Sequence, residues 1–349
     1  LAFNISILAR RINSVESLLP GVHAMSTRRA PLPVSFFSLP VGLLAFANTW
    51  HVGVRLWHLP EDVSMALSLS GLAVWAVLLV LYARKWFTHR AEAIAETQHP
   101  LQSSFVALVP VASMLAAQAL LPFSREFATS LFVATLVAQL AVGLWLNGRL
   151  WMGGRPPELV TPAVYLPSVA QSFVAATASA AFGWTQLGML LFGVGLLAWL
   201  ALESVILQRA SVGSPLPAPL RPLLGIQLAP AVVGGGSYLS LTTGAPDLFA
   251  WILLGYGLYQ ALLLLRLLPW IGEQGFVPGY WAFSFGTAAL PALAMRLVER
   301  GATGLVATLA PALFVAANLV FGFLVVRTLG LLAKGALLPA APSALNPAA

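Results

Sequence analysis

Apolar runs long enough to cross a bilayer recur along the whole chain, separated by short polar breaks. A helix of about 20 residues crosses the hydrocarbon core. Ten stretches have that length: 34–56, 63–87, 101–121, 127–150, 161–182, 185–209, 219–243, 248–271, 278–299 and 303–333. The fifth is the least hydrophobic, because Ser168, Gln171 and several alanines dilute it. The breaks leave no room for a separate soluble domain. The pattern predicts an all-α polytopic membrane protein with ten transmembrane helices as five helical hairpins.

Within that pattern the odd and even spans differ. Four odd spans carry a proline well inside the apolar run, at Pro40, Pro110, Pro167 and Pro230; the ninth has Gly286 mid-span and Pro291 later. Among the even spans only the tenth has an internal proline, Pro311. Proline removes a backbone donor and kinks a helix, and in lipid the freed carbonyl must find protein or cavity water. The odd spans are also richer in small and hydroxyl residues, as in SVAQSFVAATASAA (168–181) and AVVGGGSYLS (231–240). The even spans resemble lipid-facing walls, as in LLFGVGLLAWLALE (190–203). Small residues also serve plain helix packing. Centred prolines in alternate spans favour an inner ring of five kinked helices lining a pore, inside five straighter ones.

Composition strengthens the class. The chain is 59% hydrophobic and 8% charged, with mean hydropathy +0.87, where a soluble domain is about 25% charged. The net charge of +7 comes from residues dispersed between apolar runs, which argues for topology and against nucleic-acid binding. With the N-terminus inside, the cytoplasmic set is Arg28, Arg29, Arg84, Lys85, Arg90, Arg149, Arg155, Arg209, Arg221, Arg266, Arg327 and Lys334. Only Arg55, Arg125, Arg296 and Arg300 fall outside. That bias predicts both termini cytoplasmic. The stretch 25–33, MSTRRAPLP, reads as a natural start at Met25. Residues 1–33 are then an extension and cytoplasmic tail, 34–333 the membrane domain and 334–349 a short C-terminal tail.

Chemistry for an enzyme is sparse. There is no cysteine, no HExxH, no GxSxG and no Walker loop. The histidines His23, His51, His58, His89 and His99 lie near span ends or in loops, so neither a metal site nor a cofactor is expected. Glu203 is the one carboxylate deep in an expected span, near the cytoplasmic end of the sixth. Intramembrane acids are functional suspects by default, but that depth favours a structural hydrogen bond or an interfacial position over proton coupling.

Six stretches carry a resemblance: SLPVGLLA (38–45), SSFVALVP (103–110), YLPSVAQSF (165–173), GIQLAPA (225–231), WILLGYGLYQALLLLRLLPWI (251–271) and WAFSFG (281–286). In this order they resemble the tellurite-resistance and dicarboxylate transporter family, most nearly its bacterial TehA-like branch. Plant guard-cell slow anion channels are more distant relatives. The resemblance implies one pore per subunit in a homotrimer, passing small anions such as chloride or nitrate, with a phenylalanine of the ninth span blocking the pore midway. Alignment of WAFSFG makes that residue Phe285. Phe283, two residues and about 200° round a helix, is then left to packing. A hydrophobic plug of this kind stops ions by excluding their water. Candidate lining residues are Ser38, Pro40, Pro110, Pro167, Ser168, Gln171, Pro230, Ser284, Gly286 and Thr287. Family members tend to have glycine where this chain has Ser38, which adds a hydroxyl and narrows the passage. The expected function is a gated passive anion channel. The rival is a gradient-coupled exporter of dicarboxylate, sulfite or tellurite.

Overall fold

The computed structural model describes residues 32–338. The expected start at Met25 and most of both tails lie outside the described residues. The described chain is all helix and turn, with no strand. In order it forms α1 (Val34–Trp57), α2 (Glu61–Thr88), α4 (Gln102–Leu120), α5 (Arg125–Trp151), α7 (Thr185–Val212), α8 (Ala218–Leu241), α9 (Leu248–Gln274), α10 (Pro278–Glu299) and α11 (Leu305–Ala333). Among the described residues, these nine are long and apolar enough to cross a membrane. A short helix, α3 (Arg90–Gln98), stands in a connection that the hydrophobic pattern leaves as a loop. The fifth span, α6 (162–181), differs from an ordinary helix. It winds as a 3-10 turn over Pro162–Tyr165, a π turn over Leu166–Ala170 and an α-helix over Gln171–Ala181. Its weak hydrophobicity in the sequence and its irregular winding have one source, a proline among small and polar residues.

Four of the five odd spans begin with a wider or tighter turn before settling into α geometry. The change falls at Ser38 in α1, Gln171 in α6, Ala229 in α8 and Ser284 in α10; α4 instead breaks after Val106 and resumes at Leu108. Pro40 and Pro230 sit in the first turn of their α segments, where a missing N–H leaves no lost partner. Elsewhere neighbouring side chains satisfy the loosened backbone. Asn147 Nδ2 donates to the Pro167 carbonyl at 3.2 Å and Gln139 Nε2 to the Gln171 carbonyl at 2.8 Å, both from α5 onto α6. Thr49 Oγ1 of α1 donates to the Ala288 carbonyl at 2.8 Å, three residues before Pro291 in α10. That bond ties α1 to α10 within the turn that precedes Pro291. Pro269, absent from the odd–even proline pattern, stands within α9 close to its end.

Burial separates the two classes. The apolar windows of α4, α8 and α10 are 67% buried and that of α1 61%, against 28–33% for α2, α5, α7, α9 and α11. The even spans turn Val80, Leu144, Leu190, Leu197, Leu262 and Leu319 outward, as lipid-facing helices do. Each odd span packs on two others, and the contacts close on themselves: α1 on α4, α4 on α6, α6 on α8, α8 on α10 and α10 on α1. Each also packs on the even span that follows it. The closest approach is between α1 and α10, where a Cβ on Gly42 would stand 2.2 Å from Ser284 Oγ. The α11 helix is held to α1 by the stacked Phe46 and Phe321 rings, 4.0 Å apart, and to α10 by Trp281 Nε1 donating to Thr328 Oγ1 at 2.9 Å.

Candidate functional site

Two cavities lie inside the closed set of odd spans. The first, about 200 Å³, opens among their N-terminal halves and draws lining from α1, α4, α6, α8 and α10. Among the described residues no charged side chain lines it; its polar groups come from Ser35, Ser38, Gln102, Tyr165 and Ser284 amid leucine, valine and phenylalanine. The second, about 470 Å³, occupies the C-terminal halves and is more polar, with Asn48, His51, Arg55, Glu61, Gln118 and Arg296 on its wall. Two residues line both cavities, Val233 of α8 and Phe285 of α10.

The position of Phe285 follows from how α10 is built. A 3-10 segment over Pro278–Phe283 gives way to α-helix at Ser284. Ser284 is buried and donates its hydroxyl to the Trp281 carbonyl at 2.7 Å, fastening the junction. Gly286 lies against Leu228, with room for no Cβ, and so seats α10 on α8. Between them Phe285 is left half-buried at the boundary of the two cavities. Phe283 turns elsewhere: it is 9% exposed, stacks on Tyr280 at 6.1 Å and fills the space over Gly225. Beyond Phe285, the residues Ala289, Ala292, Leu293 and Arg296 continue one stripe down the second cavity. Their spacing of i, i+4, i+7, i+8 and i+11 is that of one helix face.

Of the lining residues expected from the sequence, Ser38, Pro230 and Ser284 join Phe285 on the first cavity, and the remainder lie elsewhere. Pro40 is buried within α1 and lines neither cavity. Pro110 faces a third, peripheral cavity with Tyr82, Trp86 and Val142. Pro167 and Gln171 face α5; the Gln171 amide is placed to donate to the carbonyls of Gln139 and Pro167. Ser168 Oγ is buried without a partner among the described residues, Gly286 serves the α8 contact, and Thr287 is on neither wall. The physical reason is common to all seven. A proline or hydroxyl marks a helix as bent or polar, but each successive residue turns about 100°, so membership of an inner helix does not assign a face. Conversely, Val233, Asn48 and Arg296 are sequence-silent when read singly. The stripe from Phe285 to Arg296 is the signal that carries the last of them.

Glu203, on α7, sits in a dense polar cluster outside the central cavities. Its carboxylate accepts from the Tyr165 hydroxyl at 2.5 Å, Trp199 Nε1 at 2.9 Å, Gln227 Nε2 at 2.8 Å, the Tyr256 hydroxyl at 2.7 Å and Gln260 Nε2 at 3.4 Å. It thereby ties α6, α8 and α9 to α7. Tyr165 also lines the first cavity, so the cluster stands directly behind its wall. Among the described residues no group of three or more histidines or acids is placed to hold a metal ion.

The chain is similar to known membrane transport proteins. A tellurite resistance protein TehA homolog of Haemophilus influenzae is 37% identical over 316 residues, covering 90% of this chain and 95% of that protein. Two transporters of Methanocaldococcus jannaschii, both described as uncharacterized, are 24% identical over 72% of this chain and 80% of theirs, and 21% identical over 66% and 73%. Residues 31–329 match the family described as voltage-dependent anion channel. That span takes in every helix lining the two cavities, and this chain belongs to the SLAC1 family of voltage-dependent anion channels.

Proposed function

We propose that the chain is a gated, passive channel for small monovalent anions, closed at Phe285. The observation that carries this reading is the meeting of two cavities on one path at a single aromatic ring and Val233. An ion on that path must shed water at an apolar constriction, which costs several kcal/mol even after relaxation. The closed cycle of contacts among the five odd spans supports a lumen along their common axis. The uncharged first cavity supports weak binding and fast exit, as conduction requires. Basic residues crowd the loops on the side of that cavity, so we place it facing the cytoplasm of a plasma membrane. There they concentrate anions, an effect that salt reduces. The subunit assembles as a homotrimer with one pore each.

The test is planar-bilayer recording of Phe285→Ala in chloride. Conductance rises at least tenfold over wild type at equal protein incorporation. An unchanged current overturns the gate.

A second reading, a gradient-coupled exporter of oxyanions, draws on two observations. One is the carboxylate cluster at Glu203 behind the first cavity. The other is the tellurite resistance named for the Haemophilus relative. It requires flux in liposomes to follow a pH gradient and to fail in Glu203→Gln. Flux driven by voltage alone, indifferent to pH, rejects it.

A further inference from the structure

Arg296 differs from the other arginines near the C-terminal ends of the odd spans. Arg55 pairs with Glu299 at 3.1 Å. Arg300 is consumed by carbonyls at the end of α8, donating to those of Leu239 and Thr242 and to Thr242 Oγ1. Arg296 makes one hydrogen bond, from Nη1 to the Gly236 carbonyl at 2.8 Å. Among the described residues it has no carboxylate within ion-pair distance, and its Nε and Nη2 have no partner. Neither atom is sealed in, because Arg296 lies on the wall of the second cavity. Arg296 is partly exposed there, so its free N–H groups face the cavity, where an anion can supply the acceptors that the described protein does not.

The free edge has a definite chemistry. Nε and Nη2 present two parallel N–H donors, the fork that matches two oxygens of a planar oxyanion. Facing the same cavity is Asn48 of α1, exposed although it stands mid-helix in an inner span, with no hydrogen-bond partner among the described residues. Arg296 also lies on the stripe that begins at Phe285, three turns along the same face.

We infer that Arg296 and Asn48 form an anion-binding subsite in the second cavity, beyond the ring of Phe285, that takes a small planar oxyanion such as nitrate in preference to a spherical halide. The inference rests on the channel reading for its place on a conduction path, but not for binding itself. One charged group at a wide mouth binds weakly enough to release its ion, whereas the same group at the constriction would hold it.

Binding and conduction are measured separately. Purified wild-type protein is melted in nitrate, chloride or gluconate at one ionic strength. Nitrate raises the melting temperature most, and Arg296→Gln abolishes the difference between nitrate and gluconate. Bilayer recording then uses Phe285→Ala as the conducting background. Adding Arg296→Gln raises the half-saturating nitrate concentration at least fivefold. Arg296→Lys, a point charge without the fork, keeps chloride conduction and lowers the nitrate-to-chloride permeability ratio at least twofold. Asn48→Ala, which removes no bond within the protein, shifts nitrate half-saturation in the same direction by a smaller factor and serves if Arg296→Gln does not fold. Nitrate half-saturation within twofold of the background in all variants, with an unaltered melting difference, overturns the site. A lost melting difference with no current in any variant leaves the site standing and removes the channel reading instead.

Discussion

Phe283 and Phe285 share a side chain, a helix and a neighbourhood, yet only the second borders both cavities. Their substitutions separate packing from occlusion. Phe283→Ala empties the space over Gly225 and should cost about 3–5 kcal/mol of stability, as buried Phe-to-Ala changes do, without raising conductance. Phe285→Ala should do the reverse, with a large current and a small change in melting temperature. The measurement is a thermal melt in detergent beside a bilayer recording of each variant. Glu203 belongs to this scale too. A carboxylate with four donors within 2.9 Å is satisfied as few carboxylates are. Glu203→Ala removes the acceptor shared by two tyrosine hydroxyls, one indole and two glutamine amides, and should lower stability by about 2–4 kcal/mol in total, seen as a drop in melting temperature. Glu203→Gln, which keeps one acceptor oxygen, should lose less.

At the scale of the element, irregular winding in the odd spans is made tolerable by specific neighbours. Asn147 reaches the Pro167 carbonyl where α6 leaves α geometry. Asn147→Leu removes that donor and should cost about 1–2 kcal/mol, with faster hydrogen exchange in α6 than in α7. The α1–α10 contact is closer still. Gly42→Ala sets a methyl against Ser284, so α10 must shift at the junction beside Phe285. The expected outcome is an altered resting current, recorded without any change to the ring itself. Outside the membrane spans, Asp247 caps α9 by accepting from the Ala250 N–H at 3.1 Å and from the Tyr238 hydroxyl. Those two bonds, the tyrosine's first, hold its carboxyl below the usual carboxylate range. A depressed pKa contributes stability above the unfolded value and loses it as pH falls through the folded one. The start of α9 should therefore stay protected at neutral pH and loosen only under acid, checked by hydrogen exchange of residues 248–252 against pH.

Across the whole molecule, the lopsided placement of arginine and lysine predicts which side each cavity faces. The chain has no cysteine, so introduced ones report alone. Thr303→Cys, exposed before α11, should react with an impermeant maleimide added to intact cells; Ser214→Cys, exposed before α8, should react only after lysis. The opposite labelling reverses the assignment of both mouths. The same scale shows what the sequence could carry. The all-α membrane class, the kind of helix on each side of a hairpin and the contrast between WAFSFG and LLFGVGLLAWLALE were legible, because lipid sorts residues by a helix's overall character; of the ten expected spans, nine among the described residues are long and apolar enough to cross a membrane.

The amino-acid sequence by itself determined a helical membrane protein, the contrast between spans rich in small residues and spans with lipid-facing faces, and the motif that holds Phe285. Only the tertiary structure decided which face of each bent span turns inward. It kept Ser38 and Pro230 on the first cavity, turned Pro110, Pro167 and Gln171 away from it, and set Arg296 and Asn48, from helices far apart in the chain, on the wall of one cavity. The reason is geometric: hydrophobicity is a property of a segment, whereas facing is a rotation about its axis. That rotation is set by close contacts such as Gly42 on Ser284 and Gly286 on Leu228, which couple residues hundreds or tens of positions apart.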